Sequence, residues 1–284
     1  MSSSPLTGQR ISFLGPGVMA EAMVEGLLSR AGVPAEHLML CGPRPERLAE
    51  LTKKYGVAGT QDPGRAAEEA DVLVVSVKPQ ALPEALLPMA GRLRPGALAL
   101  SIVAGARLRD LVGTLRHPPM VRAMPNTPGQ IGSGITVWTA TPESSAQQRE
   151  VARQILMALG QEVFVEDEDY LNMATALSGT GPAYVYLFME AMVDAGVHLG
   201  FPRRIAEQLV VQTVKGSVAY YEHSPLHLAR LRNQVTSPGG TSAAALYYLD
   251  KAGFRTALSR GIWAAYERSV QLGAGQKRGE VGKD

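Results

Sequence analysis

The sequence predicts an α/β chain in which a doubly wound, mostly parallel sheet is followed by an all-helical half. Three observations carry that expectation. Short, near-continuous apolar runs alternate with helical patterns from about Arg10 to Glu166, the signature of strands covered on both faces. Strand-like runs stop after Glu166, and the rest of the chain has helical periodicity only. Between the first apolar run and the first helical one lies a glycine-rich turn, Gly15-Pro16-Gly17-Val18-Met19-Ala20.

Seven apolar runs are expected as strands. Ile11-Ser12-Phe13-Leu14 and Leu38-Met39-Leu40-Cys41 come first, then the stretches 72–77 and 97–102. Met120-Val121-Arg122-Ala123-Met124, Ile135-Thr136-Val137-Trp138 and Val163-Phe164-Val165 complete the set. Helical patterns cover 20–29, 45–55, 80–91 and 143–159 between them. Beyond Glu166, helices are expected over 170–199, 202–221, 226–234, 241–249 and 254–272. Pro202 and Pro225 suit helix starts, where a missing N–H costs nothing. Within the first of these helices Ser178-Gly179-Thr180-Gly181-Pro182 predicts a kink, a plain inter-helix turn being the alternative. The domains are therefore expected at 10–166 and 167–273, with a flexible polar tail at 274–284.

The run Tyr184-Val185-Tyr186-Leu187-Phe188-Met189 carries no charge on any side of its helix. A helix apolar all round must be buried, yet a small helical half has little interior. Burial against a second copy, making an obligate dimer, is the expectation; a compact monomeric bundle is the alternative. Tyr184, Tyr186, Tyr247 and Tyr248 are read as core or interface residues without a catalytic role.

Composition excludes several classes. A hydrophobic content of 45%, charged residues at 19% and a net charge of +2 describe an ordinary globular chain without strong attraction to nucleic acid or anionic membrane. The single cysteine, Cys41, excludes an intrachain disulfide. The five histidines lack metal-ligand spacing, so no metal is expected. The first ten residues lack a signal-peptide layout, and no apolar run approaches the ~20 residues that span a bilayer. A cytoplasmic location is the resulting expectation.

The glycine turn reads as Gly-x-Gly-x-x-Ala between a strand and a helix, the context of a Rossmann-type dinucleotide site. Gly15 permits the turn, Gly17 lets a pyrophosphate approach, and Pro16, Val18 and Met19 line the same loop. No acidic residue ends the second strand, where one would favour a free ribose 2′-hydroxyl. Arg44 stands there instead, with Arg47 one helical turn on, and two guanidinium groups favour a 2′-phosphate. NADPH is the expected cofactor, NADH the alternative. Val77, Lys78 and Pro79 end a later strand, and Ala104, Gly105 and Asn126 end the next two. All should line the crevice where open α/β sheets bind ligands.

A second anion site is predicted in the helical half. Thr236-Ser237-Pro238-Gly239-Gly240-Thr241-Ser242 is a tight loop feeding a helix N-terminus, which offers unpaired N–H groups to a carboxylate. Ser237, Gly239, Gly240, Thr241 and Ser242 are the candidate substrate contacts.

Together with Val77-Lys78-Pro79, Met124-Pro125-Asn126-Thr127-Pro128 and Ser178-Gly179-Thr180-Gly181-Pro182-Ala183-Tyr184, these motifs resemble the pyrroline-5-carboxylate reductase family from about Ile11 to Leu272. The resemblance implies NAD(P)H-dependent reduction of 1-pyrroline-5-carboxylate to L-proline, and an active site at the interface of a dimer that assembles further into a decamer. It implies that Ser242, where relatives commonly carry threonine, is the catalytic hydroxyl that hydrogen-bonds the ring nitrogen. Three departures touch the cofactor side. The usual Asn-Arg after the second strand stands here as Gly42-Pro43-Arg44, which moves the arginine by one residue. Val18 precedes Met19 where many bacterial relatives have asparagine, and Pro63 stands where an asparagine often meets the adenosine. Two alternatives stay open: a hydroxyacid-type NAD(P) dehydrogenase, and a non-catalytic dinucleotide-sensing protein.

Overall fold

The computed structural model describes residues 4–274; the tail expected from 274 onward lies outside them beyond Ala274. The described residues pack as two compact units, 4–180 with 265–274, and Gly181–Ala264.

The first unit is built on an eight-stranded sheet. In chain order its strands are β1 (Ile11–Leu14), β2 (Leu38–Cys41), β3 (Ala58–Thr60), β4 (Val72–Val75), β5 (Leu98–Ser101), β6 (Met120–Met124), β7 (Gly134–Ala140) and β8 (Gly160–Phe164). They lie side by side as β3-β2-β1-β4-β5-β6-β7-β8. Every neighbouring pair is parallel except β6 and β7, which run antiparallel with Arg122 opposite Thr139. A short turn explains the exception, since parallel neighbours need a crossover of a dozen residues or more. Here Thr127–Ile131 forms a single 3₁₀ turn between the two strands.

Strand alternation divides the apolar residues between two faces. Phe13, Leu40, Val74 and Leu100 point to one cluster. It is covered by α1 (Val18–Ser29), α2 (Pro45–Tyr55) and, further along the chain, α6 (Ala146–Met157). Leu14, Met39, Leu73 and Ala99 point to the other cluster, under α3 (Pro63–Glu68), α4 (Leu82–Leu86) and α5 (Leu108–Leu115). Cys41 belongs to this second face. It is fully buried, and burial, followed by the Asp62 carboxylate, pushes its thiol up to about 11.

Two expectations change here. The helix expected over 80–91 is broken into a 3₁₀ turn at Pro79–Ala81, the short α4, and a second 3₁₀ turn at Leu87–Met89. Pro83 and Pro88 supply no N–H for a continuous ladder. β3, α3 and α5 form where no element was expected.

The first unit also extends past the last strand. α7 (Tyr170–Ala174) and a π-helical turn, Thr175–Gly179, belong to it. Arg122, from the buried middle of β6, donates to Glu168 at 2.8 Å and to Asn172 at 3.4 Å. Glu168 also accepts from the Leu108 N–H at 2.7 Å, and Ser269 donates to Asn172 at 3.1 Å. A buried guanidinium must be paired, and its partners lie beyond β8. Compact packing therefore divides the chain later than the end of the strand pattern. The distortion expected near Ser178 is the π-turn, in which the Thr180 N–H reaches the Thr175 carbonyl at 2.8 Å.

The second unit comprises α8 (Gly181–His198), α9 (Arg203–Glu222), α10 (Leu228–Gln234), α11 (Thr241–Lys251) and the start of α12 (Phe254–Gly273). Its own core is small: Val193, Ala206 and Val210, flanked by Met189, Met192, Val197 and Val214. Among the described residues no helix is long and apolar enough to cross a membrane.

Candidate active site

The candidate residues fall into two groups, one in each unit. The first lies along the carboxyl edge of the sheet, at the ends of the adjacent strands β2, β1, β4, β5 and β6.

After β1 the chain turns at Gly15 with φ +96°. A Cβ there would sit 2.7 Å from Val77 Cγ1 and 2.9 Å from the Val77 nitrogen, so only glycine fits. The turn is held from both sides. The Gly15 N–H donates to the Cys41 carbonyl at 2.8 Å, and the Ser76 hydroxyl donates to the carbonyls of Leu14 and Gly15 at 3.0 and 2.9 Å. Gly17 then caps α1 with extended backbone, and a Cβ at Gly17 would meet nothing within 4 Å. Among the described residues no side chain caps this helix, so the Val18 and Met19 N–H groups face outward. Met19 packs its side chain on the sheet core and leaves only its backbone for a ligand. These features fit a dinucleotide pyrophosphate: a rigid turn, open space over Gly17, and the positive end of a helix dipole.

Arg44 is exposed at the N-cap of α2. Arg47 does not join it as expected, because its guanidinium is held by Glu21 and Glu50. Lys78 is exposed before the 3₁₀ turn, beside Pro79. Ala104 lines a cavity of about 380 Å³ together with Pro79, Leu82, Arg107 and Leu272. Gly105 is buried, and a Cβ there would sit 3.0 Å from Leu272 Cβ, which makes it a packing position. Asn126 is a brace: its Oδ1 accepts from the Ile135 N–H at 3.0 Å and its Nδ2 donates to the Ser178 carbonyl at 3.2 Å. Pro63 opens α3 behind Asp62, whose carboxylate accepts from the Gly64 and Arg65 N–H groups.

The second group is one loop. α10 is closed off by the Thr236 hydroxyl, which donates to the Arg232 carbonyl at 2.7 Å. Gly239 turns the chain with φ +73°, and the Gly240 N–H donates to the Ser237 carbonyl at 3.0 Å. A Cβ on Gly240 would strike the Ser237 hydroxyl at 2.6 Å. Gly240 caps α11, whose first helical bond runs from the Ala244 N–H to the Gly240 carbonyl at 3.1 Å. Among the described residues, the N–H groups of Thr241, Ser242 and Ala243 find no protein acceptor. With the Ser237 and Ser242 hydroxyls on the same loop, they form a set of donors suited to a small carboxylate.

Three contributors escaped the sequence reading. Ser76 locks the glycine turn, Glu21 claims Arg47, and Gly42 packs its bare Cα under Pro16. A hydroxyl at a strand end beside a glycine turn was a usable signal for Ser76. The other two depend on contacts between segments far apart in the chain.

Residues 168–272 match the family described as "Pyrroline-5-carboxylate reductase dimerisation". Residues 10–105 match "NADP oxidoreductase coenzyme F420-dependent". A pyrroline-5-carboxylate reductase of Pseudomonas aeruginosa is 38% identical over 93% of this chain and 96% of its own length. The chain belongs to the pyrroline-5-carboxylate reductase family. One from Synechocystis is likewise 38% identical, over 93% of this chain and 98% of its own length. Among solved structures, the family member from Coxiella burnetii superposes with a TM-score of 0.85 at 32% identity, covering 95% of this chain and 99% of its own. That from Plasmodium falciparum, solved with NADP bound, gives 0.86 at 30% identity, covering 94% and 98%.

Proposed function

We propose that this chain reduces 1-pyrroline-5-carboxylate to L-proline, with NADPH as the cofactor and NADH as the alternative donor. The observation that carries the reading is the pairing, in a member of this family, of an outward-facing α1 N-terminus behind a glycine turn with a glycine-capped α11 N-terminus. The first fits a dinucleotide; the second fits the carboxylate of a small substrate.

When bound, the cofactor supplies a hydride to the imine carbon. The Val18 and Met19 backbone N–H groups hold its pyrophosphate over the turn that Gly15, Pro16 and Gly17 shape, and Arg44 meets the 2′-phosphate. Val77, Lys78, Pro79 and Ala104 line the remaining edge, with Gly105 and Asn126 keeping that edge in shape. Ser237, Gly239, Gly240 and Thr241 anchor the substrate carboxylate. Ser242 donates a hydrogen bond to the ring nitrogen and orients it. A serine hydroxyl is too weak an acid to lose its proton unaided, so water supplies the net proton. Positioning of this kind can contribute up to about 7–11 kcal/mol, enough to dominate a simple hydride transfer.

The helical unit is read as the dimerising one. Leu187, Tyr186, Tyr220 and Tyr248 are between 61% and 69% exposed in the single chain, an apolar surface that a second copy would bury. Assembly of dimers into a decamer, and a cytoplasmic location, complete the reading. Light scattering on the purified protein counts the subunits. Adding 1-pyrroline-5-carboxylate should drive steady oxidation of NADPH. Absence of turnover with both NADPH and NADH would sink the enzymatic reading.

A further inference from the structure

The peptide unit between Pro16 and Gly17 is held at both ends. Its N–H, on Gly17, donates to the Gly15 carbonyl at 2.8 Å. Its carbonyl, on Pro16, accepts from Arg47 Nε at 3.4 Å. The proline ring rests on Gly42, where a Cβ would come within 2.5 Å of Pro16 Cδ. Arg47 in turn is fixed by its other nitrogens. Nη1 donates to Glu50 at 2.7 Å, and Nη2 donates to Glu21, which stands in the first turns of α1. Lys54 and the Tyr55 hydroxyl reach the same Glu21 carboxylate at 2.9 and 3.0 Å.

All three nitrogens of this guanidinium are committed, to a carbonyl and two carboxylates, and that holds it in place and turns it away from the role of a phosphate clamp. A planar guanidinium can serve three separated acceptors from three nitrogens; an ammonium group, whose three N–H donors share one nitrogen, cannot reproduce that geometry. We infer that Arg47 is a positioning residue for the dinucleotide turn, acting on both nicotinamide cofactors alike, and that discrimination between them rests on Arg44. The inference rests on the proposed cofactor binding. The Glu21 charge that anchors Arg47 is secure. Burial works against its ionisation, but the hydrogen bonds from Lys54, Arg47 and Tyr55 outweigh it and hold the carboxyl below the usual range.

The test is titration of NADPH and of NADH against the purified, full-length protein, following nucleotide fluorescence. Arg47→Met and Arg47→Lys should each raise both dissociation constants by the same factor, about tenfold for a lost charge-assisted hydrogen bond. Glu21→Gln should move both in the same direction by less. Arg44→Met should weaken NADPH alone. At saturating cofactor, kcat of the Arg47 variants should stay within about twofold of the parent, which places the effect in binding. The inference is overturned if Arg47→Met weakens NADPH far more than NADH while Arg47→Lys retains NADPH, since that pattern marks a phosphate contact. Unchanged dissociation constants in Arg47→Lys and Glu21→Gln overturn it as well, and these two milder variants decide if Arg47→Met does not fold. A parent protein that binds neither nucleotide overturns the cofactor reading, and this one with it.

Discussion

In the sheet unit, β1, β2, β4 and β5 are buried along their whole length. In the helical unit, α10 and α11 contain no buried residue and α8 contains one, Val193. Apolar content does not explain the contrast, because the uncharged stretch from Tyr184 to Met189 is as greasy as any strand. The difference lies in where each unit closes its core. A sheet with helices on both faces completes two cores within one chain. Only α8 and α9 meet around Val193, Ala206 and Val210, the helices of this unit leave much apolar surface outside, and a second copy must finish the work.

The largest effect should come from the self-contained side. Leu100→Ala removes a fully buried side chain from the sheet core and should cost about 2–5 kcal/mol in chemical denaturation, at any protein concentration. Leu187→Asp probes the other side. It is 67% exposed in the single chain, so in a monomer the change would stay within about 0.5 kcal/mol. In a dimer it buries an unpaired charge and should shift the mass towards monomer in sedimentation at micromolar concentration. A mass and melting temperature equal to the parent's would show that this face is not closed by a partner.

The two units should also separate kinetically. Ser242→Ala should lower kcat by about 10- to 100-fold with NADPH affinity unchanged, the reverse of what Arg47→Met does. An unchanged kcat would remove Ser242 from the chemistry. The smallest effect concerns a surface pair on α6. Hydrogen bonds from Arg153 and then Gln154 hold the Glu150 carboxyl down at about 2, from an ordinary 4.5. A carboxyl depressed by folding stabilises the native state above its unfolded value and loses that contribution as pH falls through the folded one. Glu150→Gln should therefore flatten acid unfolding between pH 4.5 and 2, by no more than about 1 kcal/mol for so exposed a pair.

Much of this architecture was legible in the residues. β1, β2, β6 and α2 begin and end where their apolar runs and prolines predict. Strands buried on both faces write themselves as continuous apolar runs, and Pro45 marks its helix start. β3 was not legible, because Ala58-Gly59-Thr60 is a short, mostly exposed edge with no run to read. α3 and α5 are too short to complete a convincing helical period. The glycine turn and the loop before α11 could be read because backbone geometry there demands particular residue types. Arg47 could not, since its partner Glu21 sits on another helix and spacing along the chain says nothing about that pairing. Asn126 follows the end of β6, as its place in the sequence implies, but its amide spends its bonds on Ile135 and Ser178.

Cys41 gives the chain a reporter it did not have to be engineered to carry. It is the one thiol in the sequence, it ends β2 beside the glycine turn, and burial keeps it protonated at neutral pH. An alkylating reagent reaches it only when the nucleotide half opens, so the rate of labelling measures that opening directly. No signal from the helical half can contaminate it, and a bound nucleotide should slow the labelling in proportion to its occupancy.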